Sequence, residues 1–204
     1  MIKNGILIFF YVDDIIFTYR KKDKDLAQSL AGTLKKTYSL TGRGPLQWFL
    51  DIEIIRDKAQ RLIWLSQSFY IDKIANLVDT QQRPRPQAPI GKEELFLYEG
   101  LVPIHEVRRY QRKIGSLLFA AVNTRPDTVF AVSRLTRFMT NPSETHQHAT
   151  DKALLYLRDT RTYALRLKGG DDFIVANDTS FTNNTVDHKS SQAYTMCLFG
   201  GLIG

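Results

Sequence analysis

A single cysteine, Cys197, stands among 204 residues, which excludes an internal disulfide framework and any zinc site built on several thiolates. Metal would have to be held by oxygen, and the chain fits a reducing, intracellular compartment. Long apolar runs are absent as well. The most apolar stretch, residues 6–12, is too short to span a bilayer and stops at Asp13 and Asp14. No small-residue cleavage site comes after it, so neither a secretory leader nor a membrane partner is expected. The sequence has no Ser-His-Asp order, no P-loop and no dinucleotide fingerprint, which leaves hydrolase, nucleotide-triphosphatase and dehydrogenase readings without a foothold. Internal repeats and low-complexity tracts are missing too. His146 and His148 lie two apart and so fall on different faces of a helix; capping or surface roles are expected, not a metal pair.

What is present can fold and can meet a polyanion. With 43% hydrophobic and 24% charged residues the chain can bury a core as one domain or two small ones. A formal net charge of +7 suits a partner rich in phosphate, because Lys and Arg release counterions when they neutralise it. Lys21-Lys22, Arg108-Arg109 and Arg112-Lys113 could track phosphates or form solvated faces. Trp48, Phe49, Trp64 and Phe69 are expected to pack, not to stack bases.

Periodicity gives the elements. Ile6–Tyr11 and the apolar Ile15, Ile16 and Phe17 predict a β-hairpin turning at the Asp pair. A strand beginning so soon after Met1 needs neighbours, which suggests an internal piece of something longer. Asp23 is the expected N-cap of an amphipathic helix with Leu26, Leu30, Leu34 and Tyr38 along one face, ended by Gly42 and Gly44-Pro45. Residues 46–55 and 62–65 read as a second strand pair, and residues 67–78 as a short helix. Pro84, Pro86 and Pro89 mark a linker. Residues 107–122, 127–139 and 143–158 read as three helices, two of them opened near a proline, and strands are expected at 163–167, 173–176 and 193–199.

Adjacent Asp13 and Asp14 at the turn have two explanations. Asp is a good turn residue; alternatively, paired carboxylates on a fixed element hold the divalent cations of phosphoryl transfer. The full string Tyr11-Val12-Asp13-Asp14 between apolar strands resembles the hairpin of reverse transcriptase palms. The motifs downstream of the hairpin, taken in order, resemble the copia-type retrotransposon polyprotein across nearly the whole chain. Gly44-Pro45-Leu46-Gln47-Trp48-Phe49-Leu50-Asp51-Ile52-Glu53-Ile54 is similar to that family's Phe-Leu-Gly-Ile-Glu strand, with Leu65-Ser66-Gln67 and Tyr70-Ile71 further along. Lys113-Ile114-Gly115-Ser116-Leu117, Thr124-Arg125-Pro126-Asp127 and residues 146–157 are similar to its connecting segment. Val175-Ala176-Asn177-Asp178-Thr179-Ser180-Phe181, then Asp187-His188-Lys189-Ser190-Ser191 and Tyr194, resemble the opening of its ribonuclease H domain.

The resemblance implies an α+β chain: a partial reverse transcriptase palm and thumb start (1–79), a Pro-rich linker (80–92), a helical thumb and connection region (93–160), and the first strands of a truncated ribonuclease H-like fold (161–204). It implies that Asp13 is a metal ligand and Asp14 its less direct neighbour in the catalytic site, that Tyr11 and Val12 line the floor near the primer end, and that Asp178 is the first ribonuclease H carboxylate. Lys21 and Lys22 join Tyr11 and Val12 as nucleic-acid-binding residues. Mg2+ is the parent family's cofactor, an RNA/DNA template-primer duplex its partner, and the rest of the Pol polyprotein its context. The family's upstream palm Asp and downstream ribonuclease H carboxylates are not in this sequence, so the chain alone is expected to be inactive. The alternative is a non-catalytic nucleic-acid-binding module; a split enzyme completed by another chain is the least favoured, because open sheet edges aggregate. Departures from the family pattern are Asp51 for Gly, Ser180 for a second Asp, Phe181 for Trp and Ala193 for Gly.

Overall fold

The structure is a computed structural model that describes residues 2–3, 5–78, 85–170, 172–180 and 190–203. Pro84 of the expected linker and the stretch 181–189, with Phe181 and Asp187-His188-Lys189, lie outside the described residues. Contacts divide the chain into two units, Met1–Gln47 and Trp48–Gly204. The division falls between the two strand pairs.

In the first unit β1 (Ile2–Lys3), β2 (Ile6–Tyr11) and β3 (Asp14–Tyr19) form an antiparallel sheet in that order. Alternation along β2 sends Ile6 and Ile8 inward, where they are buried with Ala27 of α1 (Lys24–Tyr38) and packed by Ile15 and Phe17. Leu7 and Phe9 point the other way and stay exposed. The expected helical face is not the one that docks: Leu26 and Leu30 are exposed, and small Ala27 makes the contact with the sheet. Asp23 occupies the N-cap position, yet its side chain accepts no capping hydrogen bond; its Oδ2 is buried without a hydrogen-bond partner beside Gly5. The helix ends at Ser39 in the left-handed region, before Gly42 is reached.

The second unit opens with β4 (Trp48–Phe49), β5 (Ile52–Asp57) and β6 (Leu62–Ser66). The strand expected over 46–55 is broken, because Leu50 and Asp51 turn at φ +50 and +60 and pair Phe49 with Ile52. Both central residues at positive φ match the twist of a tight hairpin. Asp57 accepts from the Ala59 and Gln60 amides at 2.9 and 3.0 Å to shape the next turn. Four helices come next: α2 (Ser68–Ala75), α3 (Ile104–Asn123), α4 (Val129–Thr136) and α5 (Glu144–Asp159). Between α2 and α3, residues 92–103 take no regular structure. Ile71, Ile114, Leu117, Leu135, Leu154 and Leu157 are essentially inaccessible at the centre of the bundle, and burial of each such side chain contributes about 1.5–3 kcal/mol.

After α5 the chain returns as β7 (Leu165–Leu167), which pairs antiparallel with β6, Ile63 opposite Leu167. Strands β8 (Ile174–Ser180), β9 (Ser191–Leu198) and β10 (Gly201–Leu202) make a separate antiparallel sheet. Gly201 lets β10 lie against β7, since an added Cβ would strike the Arg166 carbonyl. No helix of the described residues is long and apolar enough to cross a membrane.

Candidate active site

The β2–β3 register ends with Tyr11 opposite Asp14, so Val12 and Asp13 alone make the turn. Val12 sits at φ +47 and is 88% exposed. A β-branched residue in that region is strained, by about 1–3 kcal/mol. Glycine or asparagine would form such a turn at less cost, so the turn is not explained by local preference. Its result is that two carboxylates leave the hairpin from consecutive residues, Asp13 from the turn and Asp14 from the first position of β3, both exposed. By alternation Asp14 shares a face with Tyr11, Phe9 and Ile16, opposite the face that covers Ala27.

Lys21 and Lys22 come after β3 in a short 3-10 turn and are exposed. Because β3 rises about 17 Å along its length, they lie at the far end of the hairpin from the Asp pair. Asp178 belongs to the second unit, where it is exposed on β8 opposite Ala193. The sequence-predicted residues Tyr11, Val12, Asp13 and Asp14 therefore gather on one turn, and Asp178 stands on a different sheet.

Two carboxylates are the right donors for Mg2+ but fill only part of its near-octahedral oxygen shell, the rest of which falls to water, substrate phosphates or other ligands. Among the described residues no group of three or more His, Cys, Asp or Glu could hold a metal ion. The hairpin by itself thus offers a partial ligand set.

Trp48 of β4 meets Phe69 of α2 edge to face at 5.1 Å, both well exposed, which is strand-on-helix packing at the surface. Of the four basic residues in α3 that could track phosphate or form a solvated face, Arg108, Arg109 and Arg112 are exposed, whereas Lys113 is buried and ion-paired to Asp151, with Gln147 Oε1 as a second acceptor at 3.4 Å. His146 is buried, stacked on Phe138 at 3.8 Å, and completes a capping box with Ser143. Burial lowers its pKa against a hydrogen bond to the Phe96 backbone that raises it.

Composition and spacing do not point to one further node. Arg125, 1% exposed, donates from Nε and Nη2 to the two oxygens of Asp127 at 2.9 and 2.7 Å and from Nη1 and Nη2 to Thr160. Its guanidinium lies 5.6 Å from the Tyr156 ring centre and 5.3 Å from that of Tyr163. Burial would raise the Asp127 pKa, but the hydrogen bonds and charge of Arg125 outweigh it and hold the carboxyl below its ordinary value. Arg125 thereby ties the α3–α4 connection to the end of α5. The only local signal is Thr124-Arg125-Pro126-Asp127 itself, an Arg and Asp flanking a helix-starting proline.

Similarity to known proteins extends over most of the chain. The chain is 31% identical over 208 aligned residues to the retrovirus-related Pol polyprotein from transposon TNT 1-94 of Nicotiana tabacum, covering 98% of this chain and 15% of that protein. It is 32% identical to the retrovirus-related Pol polyprotein from transposon RE1 of Arabidopsis thaliana, covering 96% of this chain and 13% of that protein. A transposon Ty5-1 protein of Saccharomyces cerevisiae is 30% identical over 81% of this chain and 53% of its own length. No protein-family model and no solved structure matches.

Proposed function

The chain belongs to the copia-type retrotransposon Pol polyproteins, of which it spans 13–15% in the two plant relatives, and on that premise we propose that it is the reverse transcriptase segment running from the palm hairpin into the start of ribonuclease H. The observation that carries this reading is the Tyr11-Val12-Asp13-Asp14 turn, where a strained Val12 delivers two consecutive exposed carboxylates to the end of an apolar hairpin. In RNA-directed DNA synthesis Asp13 would hold Mg2+ with Asp14 beside it, Tyr11 and Val12 would form the floor beneath the primer end, and Asp178 would serve the ribonuclease H site. Bound Mg2+ would supply charge stabilisation of the attacking and leaving oxygens. The two carboxylates of the hairpin do not complete that coordination, so the 204-residue segment is inactive on its own and depends on further ligands from the polyprotein.

The test is primer extension on an RNA template with Mg2+. The 204-residue chain gives no extension, whereas a longer piece of the parent polyprotein that contains it extends, and Asp13→Asn in that piece reduces the rate at least about a hundredfold. Extension that survives Asp13→Asn removes this residue from the mechanism. A second reading, a nucleic-acid-binding module without catalysis, is favoured by the net charge of +7 together with exposed Lys21 and Lys22. It predicts binding that Asp13→Asn leaves unchanged or slightly strengthens.

A further inference from the structure

We propose that residues 94–103 form a docking strap for a basic, apolar peptide segment of another protein, a role separate from the polymerase reading. The strap and its flanks are acidic in a basic chain: Glu94 and Glu99 within it, Glu93 before it and Glu106 in the first turn of α3, with no Lys or Arg over residues 93–106, so the remainder is more positive than the whole-chain +7. It is also apolar and uncovered. Phe96, Leu97 and Ile104 are 60, 66 and 64% exposed, and Leu101 is fully exposed. Such a concentration of large apolar side chains on a surface marks an interaction site.

Irregular backbone usually leaves such side chains mobile, but this strap is fastened. Leu95 is buried in the bundle core, Asn141 Nδ2 donates to the Tyr98 and Gly100 carbonyls at 2.6 and 3.0 Å, and His146 bonds the Phe96 backbone. Its exposed side chains are therefore held in place before any partner arrives, which lowers the ordering cost of binding.

Between the strap and the first turns of α3 and α5 runs a groove of about 820 Å3, whose charged lining is Glu94, Glu106, Glu144 and Asp151 against Arg109 and Lys113, the last ion-paired to Asp151. Glu144 is 86% exposed at its mouth. Apolar rim and a wall with two more carboxylates than cations together select a segment that alternates aliphatic and cationic side chains. The same carboxylates repel a polyanion, so neither a nucleic acid nor an anionic lipid surface suits this face.

The experiment uses the full 204-residue chain and fluorescence anisotropy with a short labelled peptide repeating Leu-Ser-Arg, beside Leu-Ser-Glu and Ser-Ser-Arg counterparts. The Leu-Ser-Arg peptide binds at least about tenfold more tightly than either counterpart. Leu97→Ser with Leu101→Ser, and separately Glu144→Lys, each weaken it about tenfold. Leu101→Ala gives a smaller loss and introduces no polar group, so it reads binding even if the serine variants fold poorly. Equal binding of all peptides overturns the proposal, as does affinity unchanged by every substitution. Displacement of the peptide by an RNA/DNA hybrid, or a dimer in sedimentation that Leu97→Ser with Leu101→Ser abolishes, would reassign the face to nucleic acid or to a second copy and overturns it too.

Discussion

Asp51 holds φ +60 at the second corner of the β4–β5 turn, where a side chain costs free energy that glycine does not. The family resemblance puts Gly at this position, and the geometry gives the reason: the backbone is left-handed, irrespective of which face the side chain takes. Asp51→Gly is expected to stabilise the second unit by about 0.5–1 kcal/mol once the greater unfolded-state freedom of glycine is deducted. Urea denaturation monitored by circular dichroism would measure it, and a loss of stability would mean that the Asp51 carboxylate does something local that outweighs its strain. Gly115 makes the opposite case. It lies inside the long helix α3 at a site where an added Cβ meets nothing within 4 Å. Gly115→Ala should therefore gain about 1 kcal/mol, the difference in helix propensity, with no packing term to offset it. Any clear destabilisation would show a close approach at Gly115 that the isolated chain does not contain.

At the scale of elements, α5 is held at its start by a cap that protonation can break. His146 Nδ1 accepts from the Ser143 backbone amide at 2.9 Å, and the His146 amide is directed at Ser143 Oγ. A proton on Nδ1 removes that acceptor, in keeping with the downward shift that burial imposes on the imidazole. The folded chain thus binds this proton less readily than the unfolded chain, so the contribution of His146 is complete above the ordinary value of 6.5 and is lost as pH falls from there toward the folded value. Denaturant midpoints measured down this range should fall for the native chain and fall less for His146→Gln, which keeps a side-chain acceptor at the same place in the capping box. Parallel curves would assign the acid sensitivity elsewhere. The capping role is legible in the sequence because Ser143 precedes a helical pattern after Pro142. The β2–β3 hairpin and the long helices are legible for the same kind of reason, since their periodicities are strong and local. The docking face of α1 is not: Leu26, Leu30, Leu34 and Tyr38 have the right spacing, but spacing does not say that small Ala27 allows closer approach to the sheet. The pairing of β7 with β6 is beyond reach as well, because Leu167 and Ile63 are partners across an intervening helical bundle that no local pattern records. Of the candidate site, the Asp pair can be found by motif, while the strain at Val12 and the burial of Lys113 depend on backbone angles and tertiary packing that residue type alone does not fix.

Across the whole molecule the charge is unevenly distributed, and this bears on how a duplex would bind. The net charge of +7 coexists with an acidic strap, and Lys113 and Arg125 are buried in ion pairs, so neither is open to phosphate. The cations left on the surface include Lys21, Lys22, Arg108, Arg109 and Arg112. If the hairpin unit meets an RNA/DNA hybrid, Lys21 and Lys22 touch phosphates at a distance from Asp13 and Asp14, because β3 separates the two ends by about 17 Å. Each phosphate contact contributes about one unit to the slope of log affinity against log salt. Binding of the 204-residue chain to a labelled hybrid, measured across a salt series, should therefore weaken with salt, and Lys21→Ser with Lys22→Ser should lower the slope by about two. Asp13→Asn should leave that slope unaltered, since the turn supplies no cation. A slope untouched by the lysine substitutions would place the phosphate contacts on α3, and a slope near zero would mean that the net charge serves solubility and not a nucleic-acid partner.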